Sequence, residues 1–174
     1  FEAAAAAGLM AAGCAVTQLG VAMTPTVGRA IRDGEYDGGV IITASHNPRE
    51  WNGLKFLDDL GVAPDPERAR RVAELRATVR WDLPARGFRP PSVDTEAGRR
   101  HVAAVLDALE VDVAGLRGLR VVLDSINGAG CVDTPALLKA LGCEVIHLNG
   151  EPTGEFAISP SRSRRTSATC APPS

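Results

Sequence analysis

The stretch from Gly38 to Lys55 reads Gly-Gly-Val-Ile-Ile-Thr-Ala-Ser-His-Asn-Pro-Arg-Glu-Trp-Asn-Gly-Leu-Lys. It gathers the Ser45 hydroxyl, the His46 imidazole, the Arg49 guanidinium and the Lys55 amine around one turn. Side chains of these types can exchange protons or hold an anion. The apolar run Val40-Ile41-Ile42, bounded by Gly38-Gly39, predicts a short buried strand that delivers Ser45 to its end, where chemistry tends to sit. Pro48 biases Asn47 away from the α region, so Ser45, His46 and Asn47 are expected in an irregular exposed loop. Asn52-Gly53 predicts a tight turn. Leu54-Lys55-Phe56 then predicts a returning strand, with Lys55 pointing opposite to its apolar neighbours.

The elements that must position this turn can be read along the chain. Phe1 to Ala12 is a strong helix former interrupted only by Gly8, and Gly13 stands where a C-terminal glycine belongs. Its abrupt start, without a capping residue or a preceding strand, is what the remainder of a longer βα unit would show. Cys14 to Leu19 predicts a strand, and Thr24-Pro25-Thr26 a cap-like residue and proline opening a helix through about Asp33, ended by Gly34. Helix, strand, helix, strand in close succession predicts an α/β fold, a mixed, mostly parallel sheet with crossover helices. Asp65 to Arg80 has the spacing of an amphipathic helix, with Pro66 in its first turn and Ala69, Val72, Ala73, Leu75, Arg76 and Val79 distributing apolar and charged faces.

Trp81 to Ser92, with Pro84, Gly87, Pro90 and Pro91, reads as a linker. A second unit is expected beyond it: a helix over Glu96 to Leu109, a β-branched strand over Leu119 to Asp124, a helix from Thr134 to Ala140 stopped at Gly142, and a strand from Cys143 to Leu148. That order makes one βαβ unit.

Other chemistry-bearing residues read as structural. The loop Asn127-Gly128-Ala129-Gly130 could bring backbone N–H groups to a phosphate, but Asp133 stands where the third glycine of a dinucleotide loop belongs, so a tight structural turn is expected. His101 and His147 are isolated in sequence from other ligand-type residues and are expected to be satisfied or exposed histidines. Arg68, Arg70 and Arg71 are expected on a solvated face. Cys14, Cys131, Cys143 and Cys170 form no CxxC pair and resemble small buried residues of a reducing cytoplasm.

Composition bounds the alternatives. The chain has 174 residues, 45% of them hydrophobic, and a formal charge of -2, enough for one good core or two small ones. One Tyr, few other aromatics and no long block of like charge before the tail give neither a basic groove nor stacking platforms, so no nucleic-acid partner is expected. No apolar run approaches the roughly 20 residues that span a bilayer. Ala3 to Ala7 lacks a basic region in front of it and reads as helix, so a cytoplasmic protein without a membrane partner is expected.

Thr43-Ala44-Ser45-His46-Asn47-Pro48, followed by Asn52-Gly53 and Lys55, resembles the phosphoserine signature of the α-D-phosphohexomutases. Gly20-Val21-Ala22, Thr24-Pro25-Thr26, Asp37-Gly38-Gly39 and Val122 through Gly130 extend the resemblance, which covers Phe1 to about Phe156. Ala44 and the wording Glu50-Trp51-Asn52-Gly53-Leu54-Lys55-Phe56 are most similar to the phosphoglucosamine mutase branch, beside phosphomannomutases and phosphoglucomutases. The resemblance implies that Ser45 carries a phosphoryl group given to one hydroxyl of a hexose phosphate and recovered from another, through a bisphosphorylated sugar. A serine phosphate is stable in water yet transferable once its charge is neutralised. It further implies a Mg²⁺ bridging the phosphate of Ser45 and the aspartates of an Asp-Gly-Asp loop. By the same resemblance Lys55 is a general acid/base with His46 beside it, and Arg49 is a substrate-binding residue. An amine needs a lowered pKa for such work, which a cationic cluster or burial supplies.

Family members are longer, multidomain proteins, and the resemblance divides this chain accordingly. Residues 1–82 correspond to a first domain without its N-terminal strand, 83–95 to a linker, 96–156 to the first part of a second domain, and 157–174 to an out-of-frame tail. No Asp-Gly-Asp occurs in the chain, and Asp58-Asp59 is followed by Leu60. The alternative expectation is therefore a catalytically inactive piece of such a mutase, at most a weak phosphosugar- or protein-binding module. Such a piece is expected to be poorly soluble, because an incomplete sheet exposes edges and apolar faces. From Ala157 the sequence is polar and of low complexity. Back-translation with G+C-rich codons and a shifted frame yields a Pro-Glu-Pro segment and a helix-like continuation resembling the family. A frameshift just after Phe156 is thus expected. Nucleotide sequencing across the locus should find Asp-Gly-Asp coding downstream in the shifted frame, and an intact frame through Ser174 without such coding would overturn the expectation.

Overall fold

The computed structural model describes residues 1–45, 47, 51–78, 89–109 and 113–156. They fall into two compact units, Phe1–Ile42 with Leu54–Ala97, and Thr43–Gly53 with Gly98–Ser174. The arrangement is α/β, with both parallel and antiparallel strand pairs.

In the first unit, helix α1 (Glu2–Ala11) ends through Gly13, whose φ is +89°. The N–H groups of Gly13 and Cys14 donate to the carbonyls of Met10 and Leu9, which satisfies two carbonyls of the last turn. Strand β1 (Thr17–Gln18) is shorter than the run from Cys14 to Leu19 predicted, because its parallel partner β4 (Ser92–Val93) pairs with those two residues only. Cys14 is exposed, contrary to the buried role expected of it.

Helix α2 (Thr24–Asp33) begins as the proline predicts, but Met23, not Thr24, is the N-cap residue. Thr24 and Pro25 lie in the first turn, where the proline's missing N–H leaves no intrahelical bond unmade. Strand β2 (Gly39–Ile42) pairs antiparallel with β3 (Leu54–Leu57), Ile41 opposite Lys55 and Gly39 opposite Leu57. Ile31 of α2 packs with Ile41 and Leu57 in a core that Val27 borders. Burying three such side chains stabilises the unit by about 1.5–3 kcal/mol each. On the other hairpin face Leu54 and Phe56 are 52% and 42% exposed, while Val40 and Ile42 are half-buried.

Helix α3 (Pro66–Thr78) starts where Asp65 accepts the N–H of Arg68 at 2.9 Å, an N-cap bond. Every described side chain on it is exposed, including Val72 and Leu75. The amphipathic spacing therefore produces a helix but no buried face, and Val79 and Arg80 lie outside the described residues. Its basic residues are solvated and ion-paired: Arg70 and Arg71 meet Glu74, while Arg68 reaches Asp58, Asp59 and Asp65 at 3.6, 3.2 and 3.6 Å. A concave surface on this helix is lined by Asp65, Glu67, Arg68, Arg71 and Val72. Of the expected linker, residues 81–88 lie outside the described residues, and its far end forms β4.

In the second unit, helix α4 (Ala97–Ala108) is followed by a 3₁₀ turn (Val113–Leu116), strand β5 (Arg120–Asp124), helix α5 (Asp133–Ala140) and strand β6 (Glu144–Leu148). Strands β5 and β6 pair in parallel, Leu123 opposite His147, which completes the βαβ unit expected from the sequence. Val121, Leu123, Val145 and His147 are half-buried, whereas Val122, Ile146 and Leu148 on the opposite face are exposed. Among the described residues no helix is long and apolar enough to cross a membrane. The tail 157–174, with Cys170, lies outside them.

The loop after β3 is fitted to α2 through a glycine pair. Gly61 takes φ +71°, and a Cβ there would lie 2.1 Å from the carbonyl oxygen of Gly28. Gly61→Ala should lower stability by about 1–3 kcal/mol, from the left-handed strain alone and more from the clash. Urea unfolding monitored by circular dichroism measures this, and a change within about 0.5 kcal/mol would contradict the packing.

Candidate active site

The loop from Thr43 to Gly53 begins at the end of β2. Its mouth is closed by the Thr43 N–H, which donates to the Gly53 carbonyl at 3.0 Å. The turn expected at Asn52-Gly53 is not formed: residues 51–53 have no turn, and Gly53 keeps an ordinary φ. A broad loop leaves no need for a left-handed glycine at its return. Asn52 instead accepts the Gly53 N–H on its side-chain oxygen at 2.9 Å.

Ser45 is exposed, with φ +55°. For a residue with a Cβ this left-handed conformation costs about 1–2 kcal/mol. Hydrogen bonds on both sides hold it. The Ser45 N–H donates to Thr43 Oγ1 at 2.9 Å. The Asn47 N–H and its side-chain Nδ2 both donate to the Ala44 carbonyl, at 3.0 and 2.9 Å. The bond from Asn47 back to Ala44 closes a four-residue turn with Ser45 at its second position. Ser45 thus stands on an exposed, hydrogen-bonded turn at a strand end.

Lys55 is on β3 opposite Ile41, and it is exposed. Strand alternation puts it on the same face as Leu57 and opposite to Leu54 and Phe56. Ser45 belongs to the second compact unit and Lys55 to the first. His46 and Arg49, like Pro48 and Glu50, lie outside the described residues.

The described residues do not make a site for the Mg²⁺ that the resemblance implies. Among them no group of three or more His, Cys, Asp or Glu side chains could hold a metal. Asp58, of the nearest acidic pair, accepts the N–H groups of Leu60 and Val62 at 3.0 and 3.2 Å, and both aspartates face Arg68. Those carboxylates fold a loop.

A second polar cluster lies at the ends of β5 and β6. Ser125, buried, and His147, half-buried, meet at 2.8 Å between Oγ and Nε2. Sequence spacing separated the two, and only the parallel pairing of their strands could have joined them. Asp124 accepts the Asn149 side-chain amide and the Ile126 N–H, both at 2.9 Å. Ile126 and Asn127 have φ of +46° and +55°. The Asn127 N–H donates to Asn149 and the Gly128 N–H to Ser125, both at 2.8 Å. These two amides are spent inside the protein rather than aimed at a phosphate, as a structural turn would have them.

Comparison with known proteins finds relatives along most of the chain. Residues 1–81 match the model of phosphoglucomutase/phosphomannomutase alpha/beta/alpha domain I. A protein of Methanopyrus kandleri, named as a probable phosphoglucosamine mutase, is 41% identical over 159 residues, covering 89% of this chain and 34% of the relative. The phosphoglucomutase/phosphomannomutase of Thermococcus kodakarensis is 34% identical over 154 residues, covering 86% of this chain and 33% of the relative. The crystal structure of a phosphoglucomutase/phosphomannomutase family protein from Burkholderia thailandensis superposes with a TM-score of 0.64 at 26% identity, over 90% of this chain and 34% of that one. Residues 1–81 thus match domain I of the phosphoglucomutase/phosphomannomutase family, and most of the chain is similar to part of its phosphoglucosamine mutase and phosphoglucomutase/phosphomannomutase members. The chain spans about a third of the length of the curated relatives it matches.

The cluster around Asp124 has a pH consequence. The Asn149 amide, and after it the Ile126 N–H, hold the Asp124 carboxyl below the usual carboxylate range; the charge of His147 adds a smaller effect and desolvation opposes them. A carboxyl whose pKa falls on folding contributes stability above its unfolded pKa and loses it as pH falls through the folded one. Asp124→Asn should therefore lower stability near neutrality and flatten its decline between about pH 5 and pH 3. Urea unfolding across that range tests this, and an unchanged acid slope would refute it.

Proposed function

We propose that this chain is the phosphoserine-bearing part of a phosphohexomutase that interconverts the 6-phosphate and 1-phosphate of a hexose. The observation that carries the reading is the exposed, hydrogen-bonded turn that presents Ser45 at the end of β2, within the matched domain I. In the first step the bond between phosphorus and Ser45 Oγ breaks as phosphorus bonds to a sugar hydroxyl oxygen. The hydroxyl proton passes to a base, for which Lys55 and His46 are the candidates, and the product is a bisphosphorylated sugar. In the second step Ser45 Oγ takes the other phosphoryl group, and the released sugar oxygen takes the proton back. Arg49 is the candidate for holding the substrate's stationary phosphate, as a guanidinium fork suits phosphate oxygens.

Mg²⁺ would supply charge neutralisation at the transferring group. The phosphate of Ser45 would be one ligand, and no Asp-Gly-Asp to supply the aspartates occurs in the sequence. The relatives' names divide between glucosamine and glucose or mannose phosphates, so the substrate class is hexose phosphates. A cytoplasmic location fits such a substrate pool.

A second reading is favoured by the absence of any Asp-Gly-Asp from the sequence: the polypeptide alone is a non-catalytic module that binds phosphosugar or protein weakly. Mass spectrometry of protein from its native host should find phosphate on Ser45, lost in Ser45→Ala, and its absence would count against the carrier role. A coupled assay with glucosamine, glucose and mannose 6-phosphates should show no sustained turnover by the 174-residue chain alone. Turnover abolished by Ser45→Ala would reject the second reading and support the first.

A further inference from the structure

We infer that Thr43 is a positioning residue for Ser45: its hydroxyl selects the left-handed conformation of the serine and so sets the direction of Oγ. This rests on the reading of Ser45 as the phosphoryl carrier. Thr43 is half-buried at the end of β2, while Ser45 is exposed. The Thr43 backbone N–H is committed to the Gly53 carbonyl, which fixes the residue at the loop mouth. Its Oγ1 accepts the Ser45 N–H at 2.9 Å. Threonine suits the position because β-branching restricts χ1, so the acceptor oxygen is held in place before the turn forms.

Asn47 secures the other side of the turn through two bonds to the Ala44 carbonyl, while Thr43 Oγ1 takes the Ser45 N–H. A seryl oxygen that must both attack and leave phosphorus in line depends on orientation, and small misplacements are costly in rate. Removing the Thr43 hydroxyl therefore redirects the nucleophile without touching substrate.

The test uses the 174-residue chain and needs no catalytic activity. Thr43→Val keeps the branched shape and removes the acceptor, while Thr43→Ser keeps the acceptor. Nuclear magnetic resonance follows the Ser45 Cα and Cβ shifts, which report φ and ψ, and the exchange of its amide with water. Thr43→Val should move the Ser45 shifts out of the left-handed range and speed its amide exchange about three- to tenfold, the worth of one hydrogen bond. Thr43→Ser should restore both, and β5–β6 amides should be unchanged in each variant, which controls for folding. Wild-type shifts and exchange at Ser45 in Thr43→Val would overturn the inference, as would a loss in Thr43→Ser equal to that in Thr43→Val. Because these readouts are conformational, their failure is distinct from failure of the carrier reading, which the phosphate on Ser45 decides.

Discussion

The packing of Ile31 against Ile41 and Leu57 is the contact on which the first unit's geometry depends. Strand side chains alternate, so a slip of one residue in the β2–β3 pairing would turn Leu57 to the opposite face and bring Phe56 or Asp58 toward α2. Burial of these apolar side chains therefore sets register as well as stability. With the register set, β2 ends at Ile42 and the broad loop begins at Thr43. Lys55 follows from the same constraint: placed opposite Ile41, it shares the face of the core while standing at its exposed margin.

The ends of β2 and β5 solve one local problem in the same way. A side-chain oxygen on the residue closing or following the strand accepts the N–H two residues on, and that second residue is left-handed. Thr43 does this for Ser45, and Asp124 does it for Ile126. Such turns let a polar side chain stand in for a backbone acceptor and offset the strain of the left-handed residue. They differ in what they leave outward. The β5 turn is tied by its remaining amides to Asn149 and Ser125, and it turns an apolar Ile126 outward. The β2 turn carries the Ser45 hydroxyl there, on a loop whose mouth is closed by the bond from Thr43 to Gly53.

Much of this was legible in the sequence because the signals were local. Proline at the start located α2, glycine past the end located α1, α2 and α5 to within a residue or so, and apolar runs located β2, β5 and β6. The matched domain I likewise contains the motif that carried the family resemblance. What was misread depended on partners distant in sequence. Cys14 to Leu19 has strand-like residues, but the extent of β4 limits β1 to Thr17 and Gln18. The spacing of α3 is amphipathic, yet periodicity states only which side chains share a face, not whether anything covers it. At Asn52-Gly53 a common hairpin dipeptide lost to loop length, since a return already closed by Thr43 needs no tight turn. The bond between Ser125 and His147 was invisible for a similar reason, because only parallel pairing brings those strand ends together.

Electrostatics bear on the proposed role of Ser45 as a phosphoryl carrier. A phosphoserine is a concentrated negative charge, and its transfer requires opposing charge placed where charge develops. Arg68 is engaged with three carboxylates, and Arg70 and Arg71 with Glu74, so these basic residues serve the outer surface of α3. The same pairing engages Asp58 and Asp59, whose carboxylates organise the loop after β3 instead of gathering around a cation. Under the proposed function, the described residues would supply the carrier and its orientation, and neutralisation would fall to other groups. The orientation of Ser45 would then be the chain's own contribution. Donors supplied from elsewhere can act on a phosphoryl group only if the oxygen bearing it is already aimed.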